Sequence, residues 1–304
     1  MTGDASTDSV HDAPPWSGID LPGLGPIKVR DSGPATEARD EPAILLLHGW
    51  TASADLNWCR TYGPLAGWRG GQTRLVTWDH RGHGARGLRT GTTTNLDDLA
   101  DDAATIARAL GIEQAVAVGY SMGGAVAQVL WRRHRDLVSG LVLGATAARF
   151  AVDDWQRQDF DIIGRGVGTS RLLETVGCGG LAWRYARWLG NRRAGGWAGT
   201  GDAVFDEWAW KETRAGVLSR VLAVGRDLGQ FDSTGWLDGV DVPHAVLVCE
   251  KDETVPTVRQ RELVAALPYP TVHEMAADHA ACVTRPELFI PALTGALEAV
   301  LPSQ

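Results

Sequence analysis

Residues Gly119-Tyr120-Ser121-Met122-Gly123 set a serine between two glycines, directly after the apolar run Ala115–Val118 and before a helical pattern from Gly123. A serine in such a strand–turn–helix bend is a candidate nucleophile, because the bend lifts its hydroxyl above the sheet edge toward a helix N-terminus. The bend is tight enough that side chains at 119 and 123 would strike backbone, which explains glycine at both places. A serine alcohol reacts poorly at neutral pH. It needs a base to take its proton and a third group to orient that base, and the chemistry that follows is attack on a carbonyl.

The base belongs on a loop after a late strand. His279 meets this in Ala277-Asp278-His279-Ala280, after the run Thr271–Met275 and before the last helical pattern. The orienting carboxylate belongs after the preceding strand, and Asp252 lies three residues beyond the run that ends at Cys249. Competing groups fit less well. Glu250 falls at the strand's end, Glu253 beyond the turn, and Asp278 points elsewhere if His279 points inward. His273 sits inside the last strand, where a satisfied core histidine is the expectation, and Asp153 and Asp154 are the backup acids. The expected catalytic set is Ser121, Asp252 and His279.

Acyl transfer also requires donors for the developing oxyanion. The N–H of Met122, at the start of a helix, supplies one with the helix dipole behind it. The N–H of Trp50 is the natural second, in Leu47-His48-Gly49-Trp50-Thr51, with Gly49 letting the chain turn and His48 bracing the loop.

These residues need a sheet to hold them. Apolar runs at Ala43–Leu47, Arg74–Trp78, Ala115–Val118, Ser139–Leu143, Ala245–Cys249 and Thr271–Met275 alternate with helical patterns at 96–110, 123–133, 258–267 and 287–301. Unbroken apolar strands alternating with helices predict a parallel sheet covered on both faces. Ile19–Gly33, rich in Gly and Pro, suits an antiparallel hairpin at its edge. The rhythm stops between about 147 and 236, where seven of the 13 tryptophans fall, and this insertion reads as a helical cap. The expected organisation is a disordered tail over 1–15, a core over 16–146, a Trp-rich cap over 147–236 and the rest of the core over 237–304.

A net charge of −8 over 304 residues disfavours nucleic acid as a partner, since phosphate binding needs clustered cations. Lys211 and Lys251 lie far apart, and the arginines of 184–193 alternate with Trp and Leu, as in a partly buried surface element. Cys59, Cys178, Cys249 and Cys282 lack C-x-x-C spacing, which suits a reduced, cytoplasmic setting. Cys249 reads as a small core residue, and Cys282 as a neighbour of the site. The N-terminus has no apolar signal segment, and the apolar runs fall far short of the roughly 20 residues that span a bilayer.

Taken together, His48-Gly49-Trp50, Trp78-Asp79-His80-Arg81-Gly82-His83-Gly84, Gly119–Gly124, Asp252 and His279 resemble the α/β-hydrolase superfamily, in its esterase, lipase and haloperoxidase-like branch. The Ser…Asp…His order is that of the superfamily, and residues 119–123 match its nucleophile elbow. The resemblance covers nearly the whole chain outside the tail and cap, and implies an eight-stranded, mostly parallel sheet. The second piece looks like the family's D-x-R-G-x-G loop, with His80 and His83 structural. One departure is Asp278, where the family often has glycine before the histidine. Members that open epoxides or displace halides carry aspartate at the elbow, so Ser121 disfavours those chemistries.

The activity implied is hydrolysis of a small to medium, largely apolar ester, lactone or acylglycerol through an acyl-enzyme, without metal or organic cofactor. Perhydrolysis or carbon–carbon bond hydrolysis by the same triad is the second expectation, and a ligand sensor with little turnover the third. A small-molecule substrate, no nucleic acid, no stable membrane insertion and a monomer or homodimer complete the expectations.

Overall fold

A computed structural model describes residues 10, 12–33, 41–89, 94–184, 186 and 200–302. Eight strands form one sheet: β1 (Trp16–Leu21), β2 (Gly25–Asp31), β3 (Ala43–Leu47), β4 (Leu75–Trp78), β5 (Ala115–Tyr120), β6 (Val138–Gly144), β7 (His244–Cys249) and β8 (Thr271–Met275). Their spatial order is β1-β2-β4-β3-β5-β6-β7-β8. The hairpin β1–β2 pairs antiparallel and joins β4 antiparallel, and every pairing from β4 to β8 is parallel. The sheet is the eight-stranded, mostly parallel one expected. The hairpin begins at Trp16 rather than Ile19.

The apolar runs form strands because both faces of the sheet are covered. Leu45, Leu47, Ala115 and Ala117 pack into one core cluster, while Ile44, Leu46, Val116 and Val118 pack into another. Alternate residues thus serve opposite faces, the two-residue period of a pleated strand. One face is covered by α3 (Leu96–Ala109) and α4 (Met122–Arg133), the other by α10 (Pro286–Val300), which follows the short α9 (Ala281–Thr284). Asn95 starts α3 with a capping box closed by Asp98. The short helices α1 (Ala54–Trp58) and α2 (Tyr62–Gly67) follow β3.

β5 lies between β3 and β6, so successive crossovers diverge where β3 and β5 meet. The carboxyl ends of an open α/β sheet form a crevice at such a switch point. The loops after β3 and β5 open into it, bringing Trp50 and Ser121 to one place.

Between β6 and β7 lie α5 (Asp154–Thr175), α6 (Ala203–Arg214) and α7 (Leu218–Gln230), with a helical stretch at 179–184. α5 packs on α7 through small residues: a Cβ at Gly229 would meet Phe160 at 2.4 Å, and one at Gly164 would meet Arg226 at 2.8 Å. Trp188, Trp197 and most of the arginine-rich stretch 184–193 lie outside the described residues, as do 1–9 of the expected tail. Pro14, within the stretch expected to lack structure, accepts a hydrogen bond from Arg30. Among the described residues, no helix is long and apolar enough to cross a membrane.

Candidate active site

Ser121 sits at φ 55°, ψ −121°, a conformation that L-residues rarely adopt, between the end of β5 and the first turn of α4. Its N–H donates to the Gly144 carbonyl of β6 at 2.8 Å, which holds the bend against the sheet. A Cβ at Gly119 would fall 2.2 Å from the Gly123 carbonyl oxygen, and one at Gly123 would fall 2.0 Å from that of Leu47. Both glycines are therefore required by packing.

The hydroxyl of Ser121 lies 3.0 Å from Nε2 of His279, and Nδ1 of the same ring lies 2.7 Å from Oδ2 of Asp252. With Nδ1–H donating to the carboxylate, Nε2 is left as the acceptor for the serine proton. Asp252 is buried, and its Oδ1 accepts from the N–H groups of Thr254 and Val255 at 2.9 Å each. Its Oδ2 also accepts from Gln260 at 2.9 Å. The three side chains expected from chain order are thus in hydrogen-bond contact.

The backup groups are not bonded to His279. Asp153 caps α5 and faces Arg259 at 3.4 Å, while Asp154 pairs with Arg157. Glu250 faces Arg261, and Asp278 accepts from the Ala280 N–H within its own turn. His273 departs from expectation: β8 is an edge strand, so the ring is half-buried rather than in the core, and it rests over Gly295 of α10.

Of the two residues expected to face an oxyanion, Met122 opens α4, and the first N–H groups of a helix have no partner within it. Gly49 crosses so close to Ser121 that a Cβ there would be 3.3 Å from the serine Cβ. The Gly49 N–H donates to Oδ1 of Asn57 at 2.8 Å. The indole N–H of Trp50 donates to the Val221 carbonyl of α7 at 2.8 Å.

A profile of the α/β-hydrolase fold matches residues 42–164. The RutD protein of Caulobacter segnis, named provisionally as a carbamate hydrolase, is 30% identical over 74% of this chain and 81% of its own length. The chain belongs to the α/β-hydrolase family. A bifunctional esterase/perhydrolase of Acinetobacter calcoaceticus is 29% identical over 75% of this chain and 79% of that protein. In fold, the α/β-hydrolase resembles a bromoperoxidase from Bacillus anthracis, with a TM-score of 0.73 at 19% identity over 93% of this chain and 100% of that one.

The loop after β4 braces this α/β-hydrolase's site from beneath. Nε2 of His48 accepts from the His80 N–H at 2.8 Å, and Nδ1 of His48 meets the Gly49 carbonyl at 2.8 Å. His48 therefore holds the two loops together, the bracing role its position suggested. Burial strips the imidazolium of water and pushes His80 down to about 3 and His83 to about 4, with His48 also well below the usual range. Asp79 accepts from the N–H groups of Ala54 and Arg86, and burial pushes its carboxyl up to about 6. Among the described residues, no three metal-ligating side chains converge.

Three partners were not visible to sequence reasoning. The Tyr120 hydroxyl donates to the His279 carbonyl at 3.0 Å, Asn57 anchors Gly49, and Gln260 reaches Asp252. The Tyr120 contact joins distant segments and the other two span eight residues across a loop, and no spacing rule points to any of them. The four cysteines are free, and Cys282 accepts from Asn57 at 3.6 Å, close to the site as its position suggested. The insertion's tryptophans divide. Trp183 and Trp210 pack with Trp50 in a small cluster around Leu218 and Val221, whereas Trp208 packs on Phe205 and Trp236 stacks on Trp131.

Proposed function

We propose that this α/β-hydrolase cleaves carboxylic esters through an acyl-enzyme, with Ser121 as nucleophile, His279 as base and Asp252 as the orienting acid. The single observation that carries the reading is the unbroken path from the serine hydroxyl through the imidazole to the carboxylate, at 3.0 and 2.7 Å.

In the first half-reaction, Oγ of Ser121 bonds to the substrate carbonyl carbon as its proton passes to Nε2 of His279. The carbonyl oxygen becomes an oxyanion, facing the N–H groups of Met122 and Trp50. Collapse breaks the bond to the alcohol, which leaves with the proton from His279. Water then attacks the acyl-enzyme, giving its proton to His279, and the acid departs as Ser121 recovers its hydrogen. Asp252 stabilises the imidazolium at both stages without taking its proton.

A preference for an apolar acyl or alcohol group is motivated by the tryptophan-rich insertion, whose Trp183, Trp210 and Val221 pack on Trp50 of the oxyanion loop. On this reading the insertion over 147–236 is a cap and the substrate a small to medium ester. Turnover of p-nitrophenyl esters of graded chain length by the wild type and Ser121→Ala tests it. Loss of turnover in the variant is expected, and equal rates would reject Ser121 as nucleophile.

The name of the Acinetobacter relative favours one second reading, in which hydrogen peroxide replaces water in deacylation. Peracid formation from acetate and peroxide separates the two.

A further inference from the structure

We infer that Gln260, on α8 (Thr257–Ala266), is a positioning residue that fixes the orienting carboxylate and tempers its grip on the imidazole. The inference rests on the triad reading above.

Gln260 is fully buried, and its amide is used on both sides. Its Oε1 accepts from the Cys249 N–H at 2.9 Å, while Nε2 donates to the Val255 carbonyl at 2.8 Å and to Oδ2 of Asp252 at 2.9 Å. A backbone N–H can only donate and a backbone carbonyl can only accept, so these two partners fix which end of the amide is oxygen. The amide cannot flip, and its remaining N–H has one target.

That target is the oxygen that receives Nδ1–H of His279. Two donors on one carboxylate oxygen divide its lone pairs, and the two N–H groups on Oδ1 block rotation of the group. The carboxylate plane is thereby set toward the imidazole. A second donor on Oδ2 also lowers that oxygen's basicity, which keeps the shared proton on the ring and limits how strongly the pair favours imidazolium. Gln260 further ties Cys249, at the end of β7, to Val255, beyond the acid, so the loop carrying Asp252 cannot drift from the strand.

Near the triad, the Tyr120 ring from β5 lies 5.8 Å from the imidazole centroid to centroid, Cys249 from β7 lies 3.7 Å from the Tyr120 hydroxyl, Cys282 from α9 lies 3.6 Å from Asn57, and Asp278 precedes His279 in its own loop. Burial pushes the Tyr120 phenol and the Cys282 thiol well above their usual ranges, and the Cys249 thiol up to about 12. Those three stay protonated across the working range. Those three groups therefore do not contribute to the acid limb of kcat/KM.

The test compares wild type, Gln260→Met, Gln260→Glu and Asp252→Asn by ester turnover from pH 5 to 9, with thermal melting of each. Gln260→Met keeps the length but loses the donor. It should lower kcat about tenfold, the scale of one hydrogen bond to a charged group, with KM little changed. Its acid limb should move upward by about half a pH unit as the ungoverned carboxylate holds the imidazolium more firmly. Gln260→Glu, when protonated, can still donate to Oδ2. It should retain more activity than Gln260→Met at low pH and lose it at high pH, where wild type does not.

A lowered melting temperature with an unshifted acid limb in Gln260→Met would overturn the inference, leaving Gln260 a packing residue. Wild-type kcat in Gln260→Met would overturn it too, provided Asp252→Asn is impaired. Wild-type kcat in Asp252→Asn would instead reject the triad reading itself.

Discussion

The indole N–H of Trp50 donates to the carbonyl of Val221 at 2.8 Å, tying the loop beside Ser121 to helix α7 of the insertion. Ser53, on the same loop, donates to Glu212 of α6 at 2.8 Å. The backbone N–H proposed for the oxyanion therefore belongs to a residue whose side chain is held from above.

Trp50→Phe keeps the ring but removes the bond to Val221. Loss of an oxyanion donor costs about 100- to 1,000-fold in kcat, and loosening one should cost less, about tenfold, with KM little affected. Gly225→Ala should act in the same direction, because its Cβ would lie 2.4 Å from Cζ2 of Trp50. Steady-state kinetics on one ester decide the matter, and unchanged kcat in both variants would contradict the link.

The strained backbone at Ser121 predicts a gain in stability when function is given up. At φ 55°, ψ −121°, glycine is at ease whereas alanine keeps the Cβ penalty. Ser121→Gly should be more stable than Ser121→Ala by about 1 kcal/mol in urea titration, with both inactive. The reverse order would mean that the bend holds no strain.

Burial of the histidines beneath the site sets a pH dependence of stability. Folded, His83 and His80 take up protons only near pH 4 and 3, with His48 also well below the usual range, whereas unfolded they do so near 6.5. The unfolded chain binds more protons in that window, so stability falls as pH drops from about 6.5 toward 4. Asp79 acts oppositely: its folded carboxyl, pushed up to about 6, makes stability fall as pH rises from the ordinary carboxylate range to 6. The three histidines lower stability and Asp79 raises it as pH falls, and with three groups against one these four together favour a net loss between pH 7 and 5. Urea unfolding at the two values measures it, and His83→Gln should show a shallower slope.

Two acids near the ends of neighbouring strands provide a contrast. Asp252→Asn should lower kcat by about 1,000-fold or more, since the amide favours the wrong imidazole tautomer. Asp153→Ala removes only a helix cap and a partly exposed ion pair, and should change turnover less than about twofold while costing about 1 kcal/mol of stability. A larger activity loss at 153 than at 252 would reverse the assignment of the acid.

Much of this architecture was legible because a sheet buried on both faces writes its strands as apolar runs. Ala43–Leu47 and Thr271–Met275 match their strands residue for residue. β5 runs further than its apolar stretch, through Gly119 and Tyr120, because pairing with Leu143 and Gly144 depends on backbone and not on side-chain type. Chain order brought Ser121, His279 and Asp252 into view because each follows its own strand into one crevice. Gln260, Asn57 and Tyr120 stayed hidden, since their partners are chosen by how loops fold. Tryptophan content misled in part: Trp236 stacks on Trp131 with ring centroids 6.1 Å apart, and that packing is indistinguishable from a pocket wall in composition alone.

Reaction of the wild-type protein with a fluorophosphonate, followed by peptide mapping, is the most direct test of the serine's role. A single adduct on the peptide containing Ser121, strongly slowed in His279→Gln, is the predicted result. An unlabelled Ser121 peptide in protein that still turns over ester, or labelling at equal rate without the imidazole, would contradict it.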